Sequence, residues 1–168
     1  SFRDVRQAPA SKAARAYLGL GQNAPLGPVS ALPASTRGAL ASETGCAWPV
    51  DTWNRPISDA ELQQASGIMA RGRPEIITGA AFTDSAIKAQ GDLGQFRIVH
   101  FATHGLVTPP RDGCPARPAL VTSFGTGDSD GLLTFGEIFD LQLDADLVIL
   151  SACDTAGQAS EQATAEAG

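Results

Sequence analysis

Residues 97 to 105 read Arg97-Ile98-Val99-His100-Phe101-Ala102-Thr103-His104-Gly105, a compact, mostly apolar run that ends in a histidine and a glycine. This pattern predicts a buried strand followed directly by a polar turn. A second run, Leu147-Val148-Ile149-Leu150-Ser151-Ala152, leads into Cys153 without the polar/apolar alternation of a half-exposed strand. We therefore expect this second strand to be buried on both faces, as strands of parallel sheets usually are.

Strand and helix signals alternate along the rest of the chain. Short apolar runs predict strands at 16–21, 75–78 and 119–122, and helices are expected at 36–42, 59–70, 83–91 and after Thr134. Ser58 and Thr134 each stand three residues before a glutamate, which is the spacing of a capping box. The alternation predicts an α/β three-layer sandwich on a mostly parallel sheet. Residues 1–13 are interpreted as a linker or the tail of a preceding region, and residues 14–168 as the N-terminal part of one domain.

Composition excludes several classes of protein. A chain of 168 residues with 43 % hydrophobic and 18 % charged residues is typical of one soluble globular domain. The net charge of -6 and the scattered cations argue against direct binding to nucleic acid. Apolar runs are much shorter than the roughly 20 residues that cross a bilayer, and no signal-peptide core is seen. We expect no membrane association and, by default, a cytoplasmic protein.

The three cysteines are Cys46, Cys114 and Cys153, an odd number without CxxC spacing. This pattern argues against a disulfide framework and a zinc site, so at least one free thiol is expected. Cys114 is interpreted as an incidental loop thiol. His100 and His104 lie in a strand and the turn after it, which does not give the helical i, i+4 geometry of a metal pair. No metal and no cofactor are expected.

Two chemically complementary groups follow the two apolar strands. Ligands of open α/β sheets bind outside the carboxyl ends of the strands, so His104 and Cys153 are expected at the same rim. A thiol with a pKa near 8.5 is only partly ionised at neutral pH, and a neighbouring imidazole can activate it. The amides of Gly105 and Cys153 could donate to an oxyanion. Asp154 could either form the turn or bias substrate charge.

Three other features have structural interpretations. His100 alternates with its neighbours so as to point between sheet and helix, and we expect it to be a packed core residue. Trp48 and Trp53 flank an irregular loop and are expected to clamp it onto the core. Gly19-Leu20-Gly21 lacks the third glycine and the helix of a dinucleotide fingerprint, so nucleotide binding is not expected.

The two strand segments together resemble the signatures of the CHAT domain family, with histidine and cysteine 153 − 104 = 49 residues apart. Tyr17-Leu18-Gly19-Leu20-Gly21 is similar to the family's first strand, and the resemblance extends from about residue 14 to the end. It implies a caspase-like fold and a cysteine peptidase of protein substrates, with His104 as base and Cys153 as nucleophile. Such domains are often bacterial and attached to tetratricopeptide repeats.

Two other functions stay open. A non-catalytic interaction or scaffold module would keep the fold without turnover, and another Cys/His acyl-transfer enzyme such as an amidase would share the chemistry. The resemblance also implies further strands after the cysteine motif, and we expect that these residues do not include them. We therefore expect an unpaired sheet edge beside the Cys153 strand and little activity from these residues alone. Either a separate C-terminal fragment remains associated as a partner, or the incomplete domain borrows contacts from a neighbour.

Overall fold

The computed structural model describes residues 9–41 and 45–152, so Cys153 and Asp154 lie outside the described residues. Within these ranges the chain forms seven strands and five α-helices. In chain order they are β1 (Arg15–Asn23), α1 (Ala34–Leu40), α2 (Asp51–Asn54), α3 (Ala60–Ile68), β2 (Glu75–Gly79), α4 (Asp84–Ala89), β3 (Phe96–Ala102), β4 (Gly105–Leu106), β5 (Ala119–Val121), β6 (Leu132–Thr134), α5 (Phe135–Asp140) and β7 (Leu147–Ser151). Short 3-10 turns lie at Val29–Ala31, Ala70–Gly72 and Leu93–Gln95.

Four strands form one sheet in the order β2-β1-β3-β7. Every pairing in this sheet is parallel. Parallel neighbours need crossover connections, and the helices that lie between the strands in sequence provide them. The predicted α/β fold with a mostly parallel sheet is therefore confirmed, and β3 and β7 are neighbours as the two apolar runs suggested.

Helices cover both faces of the parallel sheet, which makes the three layers. On one face, Leu62 of α3 packs against Tyr17 and Ala102. The opposite face carries a larger cluster to which α4 and α5 each contribute an isoleucine. The buried members of this larger cluster are Leu18, Leu20, Phe82, Ile87, Leu93, Phe96, Val99, Phe101, Leu120, Leu133 and Ile138. Successive residues of β1 thus alternate between two apolar layers.

Strand β7 departs from the expectation of burial on both faces. Leu147, Val148 and Leu150 are 50 %, 40 % and 42 % exposed. The reason is its position, because β7 is the last strand of its sheet and β3 is its sole strand partner among the described residues. An apolar run without alternation was correctly interpreted as a strand, and the expected unpaired edge lies here within the described part of the chain.

A second, smaller sheet was not predicted. β4, β5 and β6 pair antiparallel, so the predicted strand at 119–122 belongs to this sheet and not to the parallel one. The predicted capping box at Thr134, where β6 ends and α5 begins, is confirmed. Thr134 Oγ1 accepts a hydrogen bond from the Glu137 amide at 3.2 Å, and Glu137 Oε2 accepts one from the Thr134 amide at 2.8 Å. These bonds satisfy free amides at the start of α5.

The long excursion between β1 and α3 is attached to the second sheet. Trp53 is 2 % exposed and its indole Nε1 donates to the Gly131 carbonyl at 3.1 Å. Trp48 packs against the same apolar cluster. Both tryptophans therefore clamp the excursion onto the core, as predicted.

Cys46 and Cys114 form a disulfide, which corrects the interpretation of Cys114 as an incidental loop thiol. They are 68 residues apart in sequence, and their Cα atoms are 5.5 Å apart. Cysteine spacing and cellular context carry no information about this pairing. The bond forms because the excursion and the loop after β4 come together in the fold.

The other predicted capping box, at Ser58, does not form. Asp59 is the N-cap of α3 without a side-chain cap, and Ser58 Oγ accepts from the Ala60 amide at 3.2 Å. Glu61 does not turn back to the helix start, because its carboxylate contacts residues of the parallel sheet instead.

Among the described residues, no helix combines the length and the apolar character needed to cross a bilayer.

Candidate functional site

The carboxyl ends of β3 and β7 are aligned. Ala102 of β3 pairs with Ser151 of β7, and the Thr103 amide donates to the Ser151 carbonyl at 3.3 Å. His104 follows this last rung by two residues. Cys153 and Asp154, the other predicted site residues, lie outside the described residues. Their relation to His104 can be judged only from the pairing of Ala102 with Ser151, which ends the two strands.

The turn that carries His104 is fixed to the second sheet. Thr103 is buried and its Oγ1 donates to the Val121 carbonyl at 2.7 Å. The Val121 amide donates to the His104 carbonyl at 2.9 Å. Two bonds to one residue of β5 hold the backbone on either side of the imidazole, so the sequence Thr-His-Gly makes a rigid turn.

Gly105, the predicted oxyanion contributor, begins β4 and pairs with Leu120. The ladder bond here joins His104 and Val121, which makes the Gly105–Leu120 pair one of the non-hydrogen-bonded kind. In such a pair the amide points away from the partner strand. The Gly105 amide is therefore not engaged with β5 and faces the other side of the strand.

The imidazole of His104 is oriented by a backbone carbonyl. Its Nε2 forms a short contact with the Arg55 carbonyl oxygen. Since a carbonyl can only accept, Nε2 carries the proton, and in the neutral ring Nδ1 then holds the lone pair. Nδ1 is buried and has no hydrogen-bond partner among the described residues. In this tautomer, Nδ1 is the ring nitrogen with acceptor capacity.

Arg55 is a site residue that sequence reasoning missed. The segment before it is held by side-chain hydrogen bonds. The Asn54 side chain accepts from the Gly27 amide at 2.9 Å and donates to the Gly27 carbonyl at 3.2 Å. The side-chain nitrogen of Asn23 donates to the Trp53 carbonyl at 2.9 Å. This anchoring holds the Arg55 carbonyl against His104. No sequence signal could have identified it, because every residue has a backbone carbonyl.

A second polar cluster lies under the rim, on the α3 face of the parallel sheet. His100 is 4 % exposed, and the Tyr17 hydroxyl lies 2.8 Å from its Nδ1. Its Nε2 is 3.2 Å from Glu61 Oε1, and Glu61 Oε2 accepts a hydrogen bond from Ser151 Oγ at 3.0 Å. Burial, and then the charge of Glu61, raise the pKa of Tyr17 to about 12. His100 is thus a packed and partnered residue, as expected.

A cavity of about 500 Å³ lies between the excursion and the second sheet. Trp48 and Trp53 form part of its wall together with the disulfide-bonded Cys46. Asp130 is its acidic residue, and burial raises the pKa of this carboxyl. The residues that line the cavity do not include His104. In the described ranges, no cluster of three or more His, Cys, Asp or Glu side chains could hold a metal ion.

Comparison with known proteins gives one match. The family model of the CHAT domain matches residues 1–168, which is the whole chain. No curated protein and no solved structure matches it. The match agrees with the aligned strand ends and with the two sequence signatures that follow them. The chain therefore belongs to the CHAT domain family, whose members are caspase-like and associated with peptidase function.

Proposed function

We propose that this domain is a cysteine endopeptidase in which Cys153 is the nucleophile and His104 the general base. The observation that carries the proposal is the register of β3 and β7. Ala102 and Ser151 form the last pair of the two strands. His104 comes two residues after Ala102, and Cys153 comes two residues after Ser151. Neighbouring strands are about 4.8 Å apart, and two residues of chain span at most about 7 Å. These distances support an encounter of thiol and imidazole.

The chemistry begins with proton transfer. His104 Nδ1 takes the thiol proton of Cys153, and the thiolate sulfur bonds to the carbonyl carbon of the substrate. Negative charge develops on the carbonyl oxygen, where the Gly105 amide and the amide of Cys153 donate hydrogen bonds. The Arg55 carbonyl, accepting from Nε2, stabilises the imidazolium that forms.

The peptide bond then breaks. The imidazolium of His104 returns its proton to the leaving amine, which departs and leaves a thioester on Cys153. Water attacks this acyl-enzyme, with His104 now taking a proton from the water. The carboxylic acid product leaves, and the thiol is regenerated. Each proton taken by His104 is returned within the cycle, so no cofactor is needed for this sequence.

The proposed substrates are proteins or peptides. The family match supports a peptidase, and the charge of -6 does not favour an acidic polymer as ligand. A rim that stands on rigid strand ends suits the binding of an extended polypeptide. An amidase for small substrates would share every chemical step and would be recognised by its failure to cleave a peptide library.

The test is alkylation of Cys153 by iodoacetamide as a function of pH, without reductant. Because Cys46 and Cys114 are joined, the reagent reports on Cys153. We expect a rate that rises with a midpoint below the value near 8.5 of an ordinary thiol. His104→Ala should move the midpoint to that ordinary value. An unchanged profile in His104→Ala would contradict the proposal and favour a non-catalytic module.

The matched control is Arg55→Ala. This substitution removes an exposed side chain but keeps the backbone carbonyl that contacts His104. We expect its alkylation profile to equal that of the unaltered chain. In a chain that also carries the strands expected after Cys153, a peptide library should be cleaved by the unaltered protein and not by Cys153→Ala or His104→Ala. The double variant should be no worse than either single one, because the two residues act as a unit.

A further inference from the structure

Four side chains connect α3 to three neighbouring strands below the rim. Tyr17 comes from β1, His100 from β3, Ser151 from β7 and Glu61 from α3. The three strand residues lie on the same face of the sheet, the face that α3 covers. The steps of the proposed reaction use none of these four groups. Their arrangement therefore needs an explanation of its own.

The two carboxylate oxygens of Glu61 contact two different strands. Oε2 accepts a hydrogen bond from the Ser151 hydroxyl of β7, and Oε1 lies beside His100 Nε2 of β3. The Nε2–Oε1 distance of 3.2 Å is close, although the two groups are not aligned as a regular hydrogen bond. On its other side, His100 Nδ1 is hydrogen-bonded to the Tyr17 hydroxyl at 2.8 Å. The contacts thus run from Tyr17 through His100 to Glu61, and from Glu61 to Ser151.

Close packing supports the inner end of the network. Tyr17 is fully buried, and Gly19 of the same strand lies beside it. A Cβ added at Gly19 would lie 3.0 Å from the Tyr17 ring and 3.2 Å from its hydroxyl oxygen. These distances are shorter than ordinary van der Waals contacts, so a side chain at position 19 would require the Tyr17 ring to shift.

The outer end of the network contacts β7, which pairs with β3 along its length. Among the described residues β7 is an edge strand, and three of its large apolar side chains are about half exposed. Its last residue, Ser151, is tied on one side by its carbonyl to the Thr103 amide. The Ser151–Glu61 hydrogen bond adds a second tie, from the side chain to α3. It acts two residues before Cys153 in the chain.

We propose that Glu61 and Ser151 are positioning residues for the nucleophile, held in turn by His100 and Tyr17. This inference rests on the proposed function, since it concerns the placement of Cys153 relative to His104. Without the Ser151–Glu61 bond, the end of β7 that leads to Cys153 keeps its pairing with β3 but loses its side-chain tie to α3. A misplacement of about 1 Å near a reacting group can cost roughly 100-fold in rate.

The experiment compares Ser151→Ala, Ser151→Thr and Glu61→Ala by the pH profile of Cys153 alkylation on the whole, unreduced chain. Ser151→Ala and Glu61→Ala should raise the midpoint toward the ordinary thiol value near 8.5. They should also slow alkylation at pH 7 by about tenfold, a smaller loss than a full misplacement. Ser151→Thr keeps the hydroxyl and should restore the original midpoint. Gln64→Ala, an exposed position on the same helix, is the matched control.

The outcomes separate the two proposals. If His104→Ala shifts the midpoint while Ser151→Ala and Glu61→Ala do not, the positioning role is wrong and the proposed function stands. If His104→Ala has no effect, the proposed function fails, and the positioning role fails with it. Circular dichroism and thermal unfolding check that each variant is folded. A folded Ser151→Thr that behaves like Ser151→Ala would also refute the role, because the hydroxyl would then not be what matters.

Discussion

Reducing the Cys46–Cys114 disulfide should lower the stability of the domain by a calculable amount. The two cysteines are 68 residues apart, so the bond closes a long loop in the unfolded chain. In the chain-entropy treatment, closing a loop of this size restricts the unfolded state by about 15 cal/mol/K. At 25 °C this corresponds to about 4 kcal/mol. The figure is an upper estimate, since strain in the folded state subtracts from it.

The assay is unfolding in urea with and without dithiothreitol, followed by tryptophan fluorescence. Trp53 is buried beside the second sheet, so its emission reports on the region that the disulfide holds. We expect the reductant to lower the midpoint and the melting temperature to fall by roughly 8–16 °C. Thiol titration should count one thiol before reduction and three after it.

The control is the double variant Cys46→Ser/Cys114→Ser. It should be as unstable as the reduced chain and should not respond to dithiothreitol. Two results would refute the reasoning. One is a thiol count of three in the untreated protein, which would show that the bond does not form. The other is a reduced chain with unchanged stability, which would show that the loop is already constrained by packing of the excursion.

Other substitutions test the layers of the fold. Leu62→Ala should cost about 2–5 kcal/mol in urea unfolding, because Leu62 is fully buried under the parallel sheet. Thr134→Ala removes the cap of α5 and should cost about 1 kcal/mol by the same measurement. Burial alone would raise the pKa of Glu137, but hydrogen bonds from Lys88 and Thr134 outweigh it and lower the pKa. This carboxylate therefore contributes stability above its ordinary pKa of about 4.3, and the contribution is lost as the pH falls through the lowered value. The advantage of the unaltered chain over Glu137→Gln should accordingly vanish in acid, and an advantage that persists there would contradict this assignment.

Local patterns predicted the parallel sheet well. Three local patterns were enough: the apolar runs at β3 and β7 form strands, and the capping box at Thr134 begins α5. Each pattern depends on residues that are close in sequence. Burial of β7 was not predictable in the same way. Whether a strand is central or at an edge depends on what pairs with it, and an apolar run has the same composition in both places.

The contacts that were missed are all long-range. The Cys46–Cys114 bond depends on two loops that meet beside the second sheet, and the Glu61–Ser151 bond spans 90 positions. At Ser58 the local capping signal was present, but Glu61 found partners in the sheet instead. A short motif indicates what a residue can do nearby. It gives no information about a competing partner that is distant in sequence and is brought close by the tertiary fold.

The contact between His104 and the Arg55 carbonyl has a consequence for mutational surveys. The contributing atom belongs to the main chain, so replacing residue 55 by any other amino acid leaves the same oxygen in place. A scan of alanine variants would report this position as dispensable while it still orients the imidazole. Its importance would show instead in the residues that hold the backbone there, such as Asn54 and Asn23. Loss of activity on substitution of these two asparagines, which have no contact with His104 among their hydrogen bonds, would then reveal a contact made by the main chain alone.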